Sequence, residues 1–386
     1  MHWQFVSRLD DIDPCDWNRL AGDRYPFMRH AFLAALEHSG SVGERSGWTP
    51  HHLLLRESEN GSLLAALPAY LKSHSYGEYV FDWGWADAYH RNGLEYYPKL
   101  LTAIPFTPSA GPRLLIDPDV DRAEVLTPVL DALTTELDKR GISGWHLLFP
   151  EPDLADVLAD RGLLQRYGVQ YHWHNRDYQN FDDFLATMSS RKRKNIRKER
   201  RLVSDQGIRL KTLRGSDIQA EHWAQFFTFY QMTYAKRSGH GGYLNQAFFT
   251  EIARTMPDAL MLVLAEYEDQ PVGGAFYLVG TDTLFGRYWG CIEAFDQLHF
   301  EACYYQGIDY CIEHKLSTFD AGAQGEHKLA RGFEPVVTRS CHLIADPRFR
   351  AAIDDFLGRE TPAIMRYQQD AIESLPYRKD LLEQLK

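Results

Sequence analysis

Between residues 122 and 140, Val125, Leu126, Val129, Leu130, Leu133 and Leu137 recur three or four positions apart. That period puts them on one face of a helix, and Gly141 behind the run predicts its stop. Phe27, Phe32, Leu33 and Leu36 predict a second amphipathic helix over 26–38. The apolar runs 51–56 and 63–71 are short enough for strands, and Glu59-Asn60-Gly61 between them predicts a hairpin turn. Residues 3–6 and 144–149 predict further strands, and 154–161 a short helix.

The second half repeats this grammar. Helices are predicted over 182–203, 221–237 and 245–256. Strands over 259–267 and 272–279 flank a turn at Glu268-Asp269-Gln270-Pro271. A third strand covers 283–289, a long helix 298–315 and a short strand 317–321, with helices again from 347 to 357 and from 361. Hairpin, further strand, helix and closing strand therefore occur twice, over 53–150 and 260–325. The expected fold is α/β, with two similar domains, residues 1–175 and 176–386, each a mixed central sheet flanked by helices.

A length of 386 residues, with 44% hydrophobic and 25% charged positions, suits an ordinary globular chain of about two domains. No apolar run approaches the ~20 residues of a membrane span. The first residues lack the basic and apolar regions of a secretory signal. Five scattered cysteines form no Cys-x-x-Cys pair. The expectation is a cytoplasmic protein with reduced thiols, no metal site and no covalently bound cofactor.

The formal charge of −11 excludes a broadly basic surface built to grip nucleic acid or anionic lipid. It also conceals an asymmetry. Residues 189–201 hold Arg191, Lys192, Arg193, Lys194, Arg197, Lys198, Arg200 and Arg201 against the single acid Glu199, a local charge of +7 that leaves −18 on the rest. At helical spacing Arg193, Arg197 and Arg200 share one face, and Arg191, Lys194, Lys198 and Arg201 an adjacent one. Such a surface suits an anion, against the alternatives of a solvated helical face or a salt contact with the acidic remainder.

Two other segments concentrate chemistry. Residues 70–90 interleave large aromatics, including Trp83 and Trp85, with Lys72, His74, Glu78, Asp82, Asp87 and His90. They read as groove-lining loops or as packing. Around 319–335, Asp320, Glu326, His327, Lys328 and Arg331 sit among Gly322, Gly325 and Gly332 behind a predicted strand, where open α/β sheets gather their active sites. Arg287, Tyr288 and Gly290 close the preceding strand. His172-Trp-His174 and His299-Phe-Glu301 make no complete metal shell.

These strings resemble a bacterial family of FemAB-like proteins, related to peptidoglycan biosynthesis, within the GNAT (acyl-CoA N-acyltransferase) superfamily. The resemblance spans nearly the whole chain. It rests on Lys72-Ser-His-Ser-Tyr-Gly-Glu-Tyr-Val-Phe-Asp82, Trp85-Ala-Asp-Ala-Tyr89, Gly111-Pro-Arg113, Arg191-Lys-Arg-Lys-Asn-Ile-Arg-Lys-Glu-Arg200, Gly286-Arg-Tyr-Trp-Gly-Cys291 and Ala321-Gly-Ala-Gln-Gly-Glu-His-Lys-Leu-Ala-Arg-Gly332. It implies two GNAT-like domains and an N-acyl- or aminoacyltransferase that moves an activated acyl group onto an amine of a cell-wall precursor. The donor would be acyl-CoA or aminoacyl-tRNA, and the acceptor a small amine or nucleotide-linked precursor. The GNAT cofactor loop, Arg/Gln-x-x-Gly-x-Gly/Ala, has no match in the corresponding stretch 290–301. Within that resemblance, Glu326 or His327 is the expected base, with Asp320 orienting. Arg287 and Tyr288 would hold the oxyanion or leaving group. Lys328, Arg331, Gly325, Arg193, Arg197 and Arg200 would hold the donor, and Lys72, Trp83, Trp85, Asp87 and His90 the acceptor. The competing expectation is a non-catalytic binding protein on a GNAT scaffold.

Overall fold

In the computed structural model, which describes residues 1–239, 241–323 and 325–385, the chain forms two compact units. One comprises Met1–Gly168 and Thr338–Ile364, the other Val169–Val337 and Met365–Lys386. The expected division is a single one, at 175/176, whereas the units exchange chain at 168/169, 337/338 and 364/365. Two long strands and a 27-residue helix, Pro347–Glu373, carry the backbone across these points, and strand continuity leaves no Pro- or Gly-rich signal at them.

Among the described residues fifteen strands run in chain order: β1 His2–Val6, β2 Trp48–Pro50, β3 His52–Arg56, β4 Leu63–Leu67, β5 Tyr70–Lys72, β6 Lys99–Thr102, β7 Leu115–Ile116, β8 Gly144–Leu148, β9 Leu164–His174, β10 Arg209–Arg214, β11 Leu260–Tyr267, β12 Gln270–Val279, β13 Thr283–Cys291, β14 Thr318–Asp320 and β15 Glu334–Ile344. In the first unit β1, β3, β4 and β7 form an antiparallel sheet. A second sheet has the order β2-β5-β6-β8-β15, in which only β6 and β8 are parallel. In the second unit the order is β10-β11-β12-β13-β14-β9, and β13 and β14 are the parallel pair. Each parallel pair needs a crossover connection, and each has a helix in it: Arg122–Arg140 before β8, and the 298–313 helical run before β14. The fold is thus α/β as expected, in two units, each with a mixed sheet flanked by helices.

The Arg122–Arg140 helix follows its pattern closely. Asp121 caps its first turn by accepting the Ala123 N–H, and Gly141 ends it in the left-handed region at φ 63°. Val125, Leu126, Val129, Leu133 and Leu137 are buried against Leu53, Leu55, Trp145 and Leu147. The core of the second unit gathers Trp173, Phe184, Met261, Val263, Leu284, Tyr305, Ile308 and Phe319.

Several local expectations change, and the helices expected over 347–357 and from 361 are one, Pro347–Glu373. The 63–71 strand is two strands in different sheets, β4 and β5. Pro68, which lacks an N–H to donate, lies between them. The 182–203 helix is also two, Phe181–Ala186 and Ser190–Asp205. Met188 is fully buried at the break and its backbone pairs with Tyr377. Residues 83–91, read as loop, form a helix with Trp85 and Tyr89 on the buried side. Among the described residues no helix is long and apolar enough to cross a membrane.

Candidate functional site

The second unit holds the first candidate site, at the point where its sheet parts. β13 pairs with β14 only from Thr283↔Thr318 to Phe285↔Asp320. On its other edge β13 bulges. Phe276 faces Tyr288 and Tyr277 faces Gly286, so Arg287 is the extra residue. Beyond Asp320 the chain turns at Gly322, whose φ of +83° suits glycine, and Gly322 lies against the Gly286 carbonyl. β14 ends at Asp320, so among the described residues β13 pairs with no strand on this edge from Gly286 to Cys291, and that backbone and the turn after β14 bound the wedge.

The expected residues gather at this wedge with specific partners. Asp320 is buried; its Oδ1 accepts the Gly322 N–H at 2.9 Å and lies 3.7 Å from His172 Nε2. Burial holds the His172 imidazole below its usual range despite that carboxylate. Lys328 is buried too, and its Nζ donates to the Ala321 and Gly322 carbonyls at 2.9 and 2.5 Å. Burial pulls its ammonium down to about 8, Asp320 opposes the fall and Arg287 adds to it. His327 is exposed on the two-turn 3-10 helix Glu326–Arg331, and its Nε2 is 2.8 Å from the Tyr304 hydroxyl. Glu326, also exposed, accepts the Tyr367 hydroxyl at 2.7 Å. Gly325 starts the turn at φ +114°. The glutamine at 324 in the quoted string lies outside the described residues.

The cations behave less as a donor clamp than the sequence implies. Arg331 donates to Glu199 at 2.9 Å and to the His327 carbonyl at 2.8 Å, with its guanidinium 3.4 Å from the Phe300 ring. Arg200 makes a forked contact with Glu301, donates to Asp309 at 2.6 Å, and lies over Phe181. Both are committed to carboxylates within the unit, because a guanidinium leaves water only with such partners. The partner Glu301 comes from a π-turn, Glu301–Tyr305, in the middle of the predicted long helix. The same turn supplies Tyr304 to His327, and Tyr305 to Glu199. Arg197 pairs with exposed Asp182, and Arg193 reaches the Ala186 carbonyl at 3.5 Å. Arg191, Lys194, Lys198 and Arg201, the adjacent face, are exposed with no ion pair among the described residues. The uncommitted positive charge therefore lies on that face.

The first unit separates its expected residues. Trp83, Asp87 and His90 stand on the solvent side of the Trp83–Arg91 helix, and Asp87 pairs with Arg91. Trp85 faces inward against the His342 ring at 4.9 Å. Lys72, at the end of β5, is fully buried with its ammonium 3.9 Å from the Trp48 ring. It belongs to a network that the sequence reading missed. Lys99, also fully buried, donates to Ser75 at 2.9 Å, Glu78 at 2.7 Å and Asp82. Tyr96 donates to Asp82 at 2.6 Å and lies 3.4 Å from His146 Nε2. His146 Nδ1 is 2.8 Å from His342 Nδ1, and His342 Nε2 is 2.9 Å from Ser340. Burial pushes His146 down to about 3, so this imidazole is neutral.

Burial pulls Lys72 down to about 7 and raises Glu78 to about 7. The raised carboxyl contributes stability below its ordinary value of 4.5 and loses it as pH climbs through about 7. The lowered ammonium contributes above its ordinary 10.5 and loses that as pH falls through about 7. The pair thus stabilises least near neutrality. A Lys72→Met/Glu78→Gln double variant should gain on the wild type most near pH 7, by on the order of 2 kcal/mol, and less toward pH 5 and pH 9. Urea titrations across that range check it; a flat difference would contradict these directions.

A family model described as FemAB-like, peptidoglycan biosynthesis/recognition, matches residues 8–379. No curated protein matches the chain. Among solved structures, FemX is 12% identical, with a TM-score of 0.54 over 92% of this chain and 100% of its own. A conserved protein of unknown function from Bacteroides thetaiotaomicron is also 12% identical, with a TM-score of 0.53 over 89% of this chain and 100% of its own. At such identity the likeness is one of fold.

Proposed function

The chain belongs to the FemAB-like family, and from that premise we propose that it transfers an aminoacyl group from an RNA ester to the amine of a peptidoglycan precursor. The observation that carries the reading is the parting of β13 from β14 beside the Arg287 bulge, with Asp320, His327 and Lys328 at its mouth. Unpaired backbone and fixed donors at such a wedge suit a carbonyl that develops negative charge. His327, exposed and oriented by Tyr304, takes the proton of the attacking amine, and Glu326 is the alternative base. Arg287 and Tyr288 lie on β13 beside the developing oxyanion. Asp320 and Lys328 keep the turn in shape through the Gly322 amide and the 321–322 carbonyls. Arg191, Lys194, Lys198 and Arg201 hold the donor's phosphates, and the missing GNAT cofactor loop favours RNA over CoA.

A thermal-shift panel of acyl-CoAs, charged and uncharged tRNA and nucleotide-linked muropeptides tests the donor class. Stabilisation by tRNA, weakened by the quadruple substitution R191E/K194E/K198E/R201E and by salt, is the expected result. Stabilisation by CoA alone would overturn the RNA donor, and silence toward every donor would favour a non-catalytic binding protein. With an active donor, His327→Gln should lower kcat ~10²–10⁴-fold. Unchanged turnover there, with loss in Glu326→Gln, would move the base to Glu326.

A further inference from the structure

The buried charges of the first unit contain more hydrogen-bonding capacity than they use. Lys99 is saturated, since its three N–H bonds meet three acceptors, all from the segment 73–82. The second oxygen of each carboxylate is not. Glu78 Oε1 and Asp82 Oδ1 are buried without a hydrogen-bond partner. Lys72 also has three N–H bonds to place, and makes one hydrogen bond, to the Tyr76 carbonyl at 3.4 Å. Its Nζ is 3.9 Å from Glu78 Oε1, beyond hydrogen-bond reach. Such deficits in a closed interior cost stability unless something fills them.

The chemistry of the deficit specifies the filler. Two carboxylate oxygens call for N–H donors, and an ammonium calls for acceptors. Two lysines and two carboxylates are already balanced in charge, so a ligand with net charge would leave an uncompensated ion. We propose that this cluster binds a zwitterionic amino acid, or a compound that ends in one, with its ammonium on Glu78 Oε1 and Asp82 Oδ1 and its carboxylate on Lys72. Paired in this way, Lys72 and Glu78 would recover the charges that burial opposes. A ligand would enter past the segment 73–82, which has neither helix nor strand and carries Tyr76 and Phe81 59% and 62% exposed. Binding there requires no transfer chemistry.

The experiment is a thermal-shift and calorimetric titration of the full chain with L-alanine, meso-diaminopimelate and glycine, set against cadaverine and hexanoate, which carry only one of the two kinds of group. The expected result is stabilisation by at least one zwitterion and none by the single-group compounds. Glu78→Gln and Lys72→Met, close in shape to the native side chains, should each weaken binding at least tenfold. Asp355→Asn, on an exposed helix turn of the same unit, should leave it unchanged. Cadaverine or hexanoate binding as well as the zwitterions, or no response to any zwitterion, would overturn the site; so would folded variants at Glu78 and Lys72 that bind as the wild type does. If the variants fail to fold, the wild-type selectivity alone decides. Zwitterion binding by a protein with no transferase turnover would leave this site standing while removing the function proposed above.

Discussion

Replacing Lys99 with methionine is expected to lower the unfolding free energy by about 3–5 kcal/mol, the range for removing one partner of a buried ion pair. The methionine side chain fills nearly the same volume, so packing changes little and the loss is electrostatic. Burial alone would raise the Asp82 carboxyl, but the Lys99 ammonium outweighs it and holds that group well below the usual range. Burial would likewise lower Lys99, and the two carboxylates instead hold it above its usual value. Without the ammonium, Asp82 and Glu78 lose their common cation and Ser75 loses its donor, so the segment 73–82 loses three of its anchors. The depressed Asp82 contributes stability above its unfolded value and loses it as pH falls into the acid range. The Lys99→Met penalty should therefore be full at neutral pH and shrink below about pH 4. Adding Asp82→Asn and Glu78→Gln to Lys99→Met should recover part of the loss, since no buried carboxylate then lacks its cation, and Lys72 is left as the one buried charge of the cluster. Urea denaturation of the series measures this, and a single-variant loss below about 1 kcal/mol would mean that water reaches the cluster.

The second large effect comes from one hydrogen atom. A Cβ on Gly290 would stand 2.1 Å from the backbone carbon and oxygen of Phe229, in the Ala220–Ser238 helix that packs on β13. Neither wall is the far end of a flexible side chain, so Gly290→Ala must push the helix off the strand. Overpacking of this kind costs about 3 kcal/mol. Gly358→Ala is the contrast. That glycine lies inside the Pro347–Glu373 helix with nothing within 4 Å of an added Cβ. Alanine there should stabilise by about 1 kcal/mol through helix propensity. Thermal unfolding of the two variants should move in opposite directions. Equal behaviour would show that the helix and β13 are not packed through Gly290.

What the sequence discloses depends on how local the cause is. The Arg122–Arg140 helix is legible because its stripe, its cap and its stop are all contained in twenty-odd residues. The doubled arrangement of strand, helix and strand is legible for the same reason, since each crossover helix carries its own period. The break at Pro68 was also available, because a proline interrupts a strand wherever it falls. The wedge was half legible. Glycines, a carboxylate and cations behind a short strand mark the place, but the commitment of Arg331 to Glu199 and of Arg200 to Glu301 and Asp309 depends on residues 100 and more positions away. The network in the first unit was hardest to see. His146 and His342 meet across 196 positions, on strands that pair antiparallel. A local signal did exist: Lys99 opens the fully buried strand Lys-Leu-Leu-Thr, and His146 sits within Gly-Trp-His-Leu-Leu. A charged or titratable side chain in a fully buried strand requires a partner, and the sequence alone does not say which.

The three exchanges of chain between the units bear on how this protein can be made. Its first unit contains residues up to Gly168 but is complete only with Thr338–Ile364. A ribosome releasing the chain from its first residue onward will therefore have synthesised most of the second unit before the first can close. Until then β8 lacks its β15 neighbour, and His146 waits for His342. Nascent chains stalled before residue 338 thus expose an unpaired strand edge, the kind of surface that chaperones cover. A gene cut once in the middle would leave a first unit without its last strand.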